Sequence, residues 1–258
     1  GTGSPILLIH DTLPGASGYE WNKIEDELAI DHTVYTVDLL GCGRSDKSSI
    51  TYTNFVYVQM ISDFIKKIIG QKTDVITSGF SGSFVTMACH NEKELFNKIM
   101  LVNPPSLTQL KQMPNRKDRL LKAALEIPIF GTLVYHMIVS RDNINNLFIE
   151  KMYYNPFHVD NQMSDAYYEA AHKGGYYTRF LYSSLAAKYM NVNICHALKA
   201  LDNSIYIVEG ETEPNGKAVT DDYCASNPAI EVSVLKETKH LPHVEAPEAF
   251  LEQVKIFF

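Results

Sequence analysis

Val75-Ile76-Thr77-Ser78-Gly79-Phe80-Ser81-Gly82-Ser83 is a short apolar run that breaks into a Gly/Ser-rich turn and opens onto a helical stretch reaching about His90. The next buried strand is predicted at Ile99-Met100-Leu101-Val102, which makes the whole stretch one β-α-β unit.

The same rhythm extends in both directions. Upstream, Val58, Ile61, Ile65 and Ile68 fall at helical spacing, and strand runs stand at Ile6-Leu7-Leu8-Ile9 and Thr33-Val34-Tyr35-Thr36-Val37. Between those two strands, Trp21, Ile24 and Leu28 share one helical face. Downstream, strand runs return at Ile205 to Val208 and Ile230 to Leu235, followed by a closing helix with Phe250, Val254 and Phe257 on one side. Short apolar strands alternating with helices predict a mostly parallel central sheet flanked by helices, an α/β fold.

From Pro104 to about Leu201 the strand pattern disappears, and Pro114, Pro128 and Pro156 punctuate a series of helices. The expected organisation is therefore a core of residues 1–104 and 202–258 split by a helical cap over 105–201. The cap is rich in aromatic side chains, among them Phe130, Tyr135, Phe148, Tyr167 and Tyr182. They predict a pocket under the cap for a small apolar or aromatic molecule, or equally the packing of cap on core.

Composition excludes several classes. Of the 258 residues 45% are hydrophobic, enough for a sizeable core, and the net charge of -7 with no run of five like charges does not suit nucleic acid. Cys42, Cys89, Cys195 and Cys224 are scattered, with no zinc-type spacing, and are expected as reduced thiols in a cytoplasmic protein. No metal or organic cofactor is expected. The longest apolar stretch, Leu120 to Val139, is broken by Lys122, Glu126, Pro128, Gly131 and His136, so no membrane span is expected. The chain opens on Gly1 rather than Met, which is compatible with a natural start further upstream. Oligomeric state is left open.

Several segments together resemble the α/β-hydrolase superfamily, in particular its capped enzymes. They are Leu8-Ile9-His10-Asp11, Asp38-Leu39-Leu40-Gly41-Cys42-Gly43-Arg44-Ser45-Asp46, the turn at Gly79, Leu101-Val102-Asn103-Pro104, Gly210 to Pro214, and His240-Leu241-Pro242-His243-Val244-Glu245-Ala246-Pro247-Glu248. The resemblance implies the α/β-hydrolase fold with an inserted helical cap. Active members place a serine on a strained strand-to-helix elbow, G-x-S-x-G. Registered without gaps against the strands on either side, this chain has Gly79 in the serine's place. A shifted register, Gly79-Phe80-Ser81-Gly82-Ser83, makes Ser81 the nucleophile, and Ser78 is a further candidate. Both serines also read as caps for the following helix. Cys42 sits in what resembles a structural turn, where a nucleophile is not expected.

By the same resemblance His240 is the general base, since imidazole exchanges protons near neutral pH. Glu213 is the acid that orients it, with Glu211 as fallback. The oxyanion amides would be those of Phe80 and Thr12. Asp11 replaces the glycine usual after the histidine of the first loop, setting a carboxylate where negative charge should develop. Facing His240 instead, Asp11 would form an ion pair or act in acid/base chemistry that needs no serine.

Three functions follow from these readings. The first is a hydrolase of small carboxylic esters or acyl compounds with a degraded or relocated nucleophile. The second is an inactive pseudoenzyme that binds a ligand, and the third is non-covalent His/Asp acid-base chemistry of a lyase-like kind. Whether the chain is an enzyme at all is thus open from its sequence.

Overall fold

A computed structural model describes residues 1–159 and 161–258. The described residues form one six-stranded parallel sheet of β1 (Ser4–Ile9), β2 (His32–Val37), β3 (Thr73–Ser78), β4 (Phe96–Val102), β5 (Ile205–Gly210) and β6 (Glu231–Leu235), in the order β2-β1-β3-β4-β5-β6. All six predicted strands are present; β1 to β5 each extend beyond their apolar runs, and β6 begins one residue later than predicted.

The alternation of side chains along each strand divides the core into two layers. Leu7, Ile9, Val75, Ile99, Leu101 and Ile207 face one layer, and Ile6, Leu8, Ile76, Met100, Val102 and Val208 face the other. Every residue of β3 is buried, as expected of a central parallel strand covered on both sides.

Helices α1 (Glu25–Asp31), α2 (Asn54–Phe64) and α3 (Ser81–Asn91) connect the first four strands. At the end of α2 the predicted face slips. Ile68 is 61% exposed and Ile69 only 9%, because Ile65–Ile69 forms a wide π-turn that adds a residue before the αL residue Gly70.

Between β4 and β5 the chain is helical: α4 (Leu107–Leu110), α5 (Arg116–Glu126), α6 (Pro128–Ile138), α7 (Arg141–Leu147), α8 (Asn161–His172), α9 (Arg179–Ala186) and α10 (Cys195–Ala200). The prolines mark boundaries as read. Asn115, after Pro114, forms a capping box with Asp118 at the start of α5, and Pro128 opens α6. The chain closes with α11 (Gly216–Ser226), α12 (Pro242–Glu245) and α13 (Pro247–Phe257). Among the described residues no single helix is long and apolar enough to cross a membrane.

Register positions the site. Ile9 lies beside Thr77, Ser78 beside Val102, and Val102 beside Val208, so the loops after β1, β3, β4 and β5 leave from one edge. From β1 the chain first moves outward to β2 and then returns past β1 to β3. The gap between β1 and β3 is the point where strand order reverses, and there a parallel sheet leaves a crevice for ligands.

Candidate active site

The loops following β1 and β3 meet at that crevice. Gly79 follows the last residue of β3 with φ +53°, and α3 begins two residues later. This left-handed turn between strand and helix suits glycine, which has no Cβ to strain. A Cβ built on Gly79 would lie 2.2 Å from Cγ of Asp11 and 2.4 Å from both its carboxylate oxygens. The space in which a side chain at this turn would sit is occupied by the Asp11 carboxyl group.

Asp11 is 4% exposed, and its carboxylate is fully engaged. Oδ1 accepts hydrogen bonds from the amides of Thr12 at 2.6 Å and Phe80 at 2.7 Å. Oδ2 lies 3.2 Å from Nε2 of His240, whose Nδ1 is 3.3 Å from Oε1 of Glu213. The four groups named as oxyanion donors, base and acid therefore converge through Asp11. Glu211 is exposed and turned away, accepting from the Glu237 amide.

Burial works against a charged imidazole at His240. Hydrogen bonds and charge from Asp11, then Glu213, more than offset it and raise its pKa to about 10. At neutral pH the ring holds both protons and stands between two carboxylates as a proton donor.

Ser81 is buried under the first loop. Its hydroxyl donates to the carbonyl of His10 at 2.7 Å and so accepts from Thr12 Oγ1 at 2.6 Å, each hydroxyl having one proton to give. Ser78 points to the other side of the sheet and donates to Oε1 of Glu20. Neither hydroxyl is hydrogen-bonded to His240, and neither caps α3, which has no side-chain cap.

Two positioning residues were not singled out in the sequence. Glu20, wholly buried, stands 3.2 Å from Nε2 of His243 through Oε1 and accepts the Asp11 amide at 3.3 Å through Oε2. Burial alone would raise its pKa, but His243 and the Ser78 hydroxyl lower it, so Glu20 is ionised. Asn103, after β4, has φ 44° and donates to the carbonyls of Lys239 and His240 at 2.8 and 2.9 Å while accepting the Gly210 amide at 3.0 Å. It ties the His240 segment to β4 and β5. Its left-handed backbone, which Asn tolerates, is a tertiary feature with no pattern in the text.

His10 anchors the β1 loop. Its Nε2 accepts the Leu39 amide at 3.0 Å, which leaves the ring proton on Nδ1 for the Asp11 carbonyl at 2.6 Å. The neighbouring turn closes on Asp38, whose carboxylate accepts the amides of Gly18 and Arg44 at 2.6 Å each. Cys42 is buried within that turn, and burial pushes its thiol far above the ordinary value.

A cavity of about 820 Å³ opens over the site, bounded by Asp11, Gly79, Phe80, Glu213 and His240 and by residues of the inserted helices. None of the cap aromatics named above lines it. Tyr135, Phe148 and Tyr167 are buried in a separate cap cluster, and Phe130 is half exposed. Among the described residues no three His, Cys, Asp or Glu side chains are grouped to hold a metal ion.

Residues 6–253 match the sequence pattern of the Alpha/beta hydrolase family. The chain belongs to the alpha/beta hydrolase family. Within it, 109 residues are 29% identical to a 2-hydroxy-6-oxo-6-(2'-aminophenyl)hexa-2,4-dienoic acid hydrolase of Metapseudomonas resinovorans, covering 42% of this chain and 38% of that protein. The alignments span about a third of the length of the curated relatives that this chain matches. Among solved structures, the 2-hydroxy-6-oxo-6-phenylhexa-2,4-dienoate hydrolase of Rhodococcus sp. strain RHA1 superimposes with a TM-score of 0.78 at 18% identity, over 99% of this chain and 90% of that one. The epoxide hydrolase CorEH superimposes with a TM-score of 0.80 at 16% identity, over 100% of this chain and 92% of that one. At such identities the likeness is one of fold.

Proposed function

We propose that this member of the hydrolase family acts on a small molecule through the Asp11–His240–Glu213 relay and not through a serine. One observation carries the reading. The Asp11 carboxyl fills the space next to Gly79 and takes up both amides that would hold an acyl oxyanion. A carboxylic ester needs a nucleophile and an empty anion site at this turn, and here both places are filled by one side chain. His240, protonated at neutral pH, supplies a proton to a substrate atom, while the two carboxylates hold the imidazole in place.

The substrate is a small, largely apolar molecule, because the cavity wall includes Leu13, Leu147, Met152, Leu185 and Val219 with scattered polar groups such as Gln109 and Asn191. The test is a panel of small esters and non-ester electrophiles assayed against wild type and single variants. Turnover should fall at least tenfold with Asp11→Asn and His240→Gln and stay within twofold with Ser81→Ala. Ester turnover that depends on Ser81 would overturn the reading.

Ligand binding without turnover is the second reading, favoured by the same closed contact between Asp11 and the amides. It predicts saturable binding to wild type with no product from any member of the panel.

A further inference from the structure

We infer that the corner formed by α5 and α6, on the outside of the inserted helices, docks this protein on the surface of an anionic lipid bilayer. The inference concerns an outer face and does not rest on the chemistry at Asp11.

The composition of α6 does not match its burial. Of its eleven residues only Gly131 and Tyr135 are buried. Ile129, Leu133 and Met137, four residues apart along one stripe, are 78%, 63% and 65% exposed. Phe130 flanks the stripe, and Ile127 and Leu120 continue it across the bend onto α5, each more than half exposed. A contiguous apolar face of this kind marks a surface that meets a partner.

The inner side of the corner is accounted for by α9. Arg179 donates through Nη2 to the Glu126 carbonyl at 3.3 Å and through Nη1 to Thr132 Oγ1 at 3.4 Å. The Ser183 hydroxyl donates to Glu126 Oε1 at 2.9 Å. By length and apolar content α5 and α6 together would suffice to cross a membrane, but they meet at 95°. A pair bent so sharply does not thread a bilayer as one rod. Its two axes define a plane, and helices with one apolar side lie along the interface.

Charge selects the occupant. Residues 111–138 hold five Lys or Arg and two Asp or Glu, a net +3 in a chain whose total is -7. Both acidic groups are engaged within the protein. Asp118 accepts the Asn115 amide at 2.9 Å and lies 3.5 Å from Lys188, while Glu126 pairs with Lys122 and Ser183. The charged side chains left exposed along this stretch are Lys111, Arg116, Lys117 and Arg119, all basic. An apolar stripe bordered by basic side chains complements acyl chains lying beneath anionic headgroups. A second copy of the chain complements it less well, because a two-fold contact sets the same patch against itself and brings two basic edges into one interface.

The test is flotation of the full chain with vesicles of phosphatidylcholine alone and of phosphatidylcholine mixed with phosphatidylglycerol. Wild type should bind the mixed vesicles at least about tenfold more tightly than the neutral ones, and added salt should weaken that binding. The triple variant Arg116→Gln/Lys117→Gln/Arg119→Gln and the double variant Ile129→Ser/Leu133→Ser should each lower binding to mixed vesicles by at least about tenfold, with circular dichroism unchanged. Phe130→Trp adds a readout that needs no loss of binding. Its indole fluorescence should shift to the blue on mixed vesicles and be quenched by brominated acyl chains, against a constant background from the wholly buried Trp21. Equal binding to both vesicle types, binding to neither, or an indole at position 130 that stays in water would overturn the inference. A dimer in sedimentation that Ile129→Ser/Leu133→Ser dissociates, with no vesicle binding by wild type, would overturn it also and give the face to a second copy.

Discussion

The carboxyl carbon of Asp11 lies 2.2 Å from where a Cβ on Gly79 would stand, so a side chain at position 79 and a carboxylate at position 11 exclude each other in this structure. The glycine and the aspartate form one device in which each residue makes the other possible. On the proposed reading, Gly79 and Asp11 act together, with the carboxylate in the space a side chain at position 79 would take.

Mutual exclusion predicts a large coupling energy. Gly79→Ser alone introduces both overpacking against Asp11 and an L-residue at φ +53°, and should destabilise the fold by roughly 2–4 kcal/mol. Adding Asp11→Gly should recover ~1–2 kcal/mol of that, whereas independent sites would simply add. Urea denaturation of wild type, both singles and the double variant measures the cycle. The double variant should also gain fluorophosphonate labelling at position 79, which the single Gly79→Ser variant lacks.

His240 gives the pH dependence a definite sign. Its folded pKa is raised to about 10 from the ordinary 6.5, so its charged form is favoured by folding. The associated stability is complete below pH 6.5 and is lost as the pH rises from there through about 10. Thermal melts should show wild type losing stability across that window, with His240→Gln flat over the same range apart from other titrations. A wild-type melting temperature that rises between pH 7 and 9 relative to His240→Gln would contradict the Asp11–His240–Glu213 arrangement.

The two serines should matter for stability and not for chemistry. Ser78→Ala leaves the buried carboxylate of Glu20 without one of its donors, and Ser81→Ala removes the link between the His10 carbonyl and Thr12. Each should cost roughly 1–3 kcal/mol, read by chemical denaturation, with His240-dependent activity unchanged within about twofold per folded molecule.

Glu20→Ala should be more damaging. It strips a wholly buried acceptor from both the Ser78 hydroxyl and the Asp11 amide, at roughly 1–3 kcal/mol for each buried donor left unsatisfied. Glu20→Gln keeps the shape and should retain more of the stability, as circular dichroism melts would show.

How much of this was legible depended on whether a signal was local. The strands were readable because a parallel strand buried on both faces must be continuously apolar, as Val75 to Thr77 and Ile205 to Val208 are. The slip from Ile68 to Ile69 was not, since a π-turn changes the period without changing composition. Gly79 could be placed at the turn by register, yet the partner that fills its space lies 68 residues earlier, and nothing in the text of the β1 loop gives the direction of Asp11. Glu20 reads as an ordinary acidic residue next to Trp21, and only the packed structure shows it buried against Asp11, Ser78 and His243. The aromatic cap was visible, but its rings pack among themselves or face outward, leaving the cavity wall mostly to aliphatic and amide side chains.

The central claim, that the site at Gly79 works through Asp11 and His240 and not through a serine hydroxyl, is tested most directly by treating the wild-type protein with a fluorophosphonate probe and mapping adducts by peptide mass spectrometry. The structure predicts no adduct on Ser81 or Ser78. A stoichiometric adduct on either serine that disappears in His240→Ala would show a hydroxyl working with the imidazole and would contradict it.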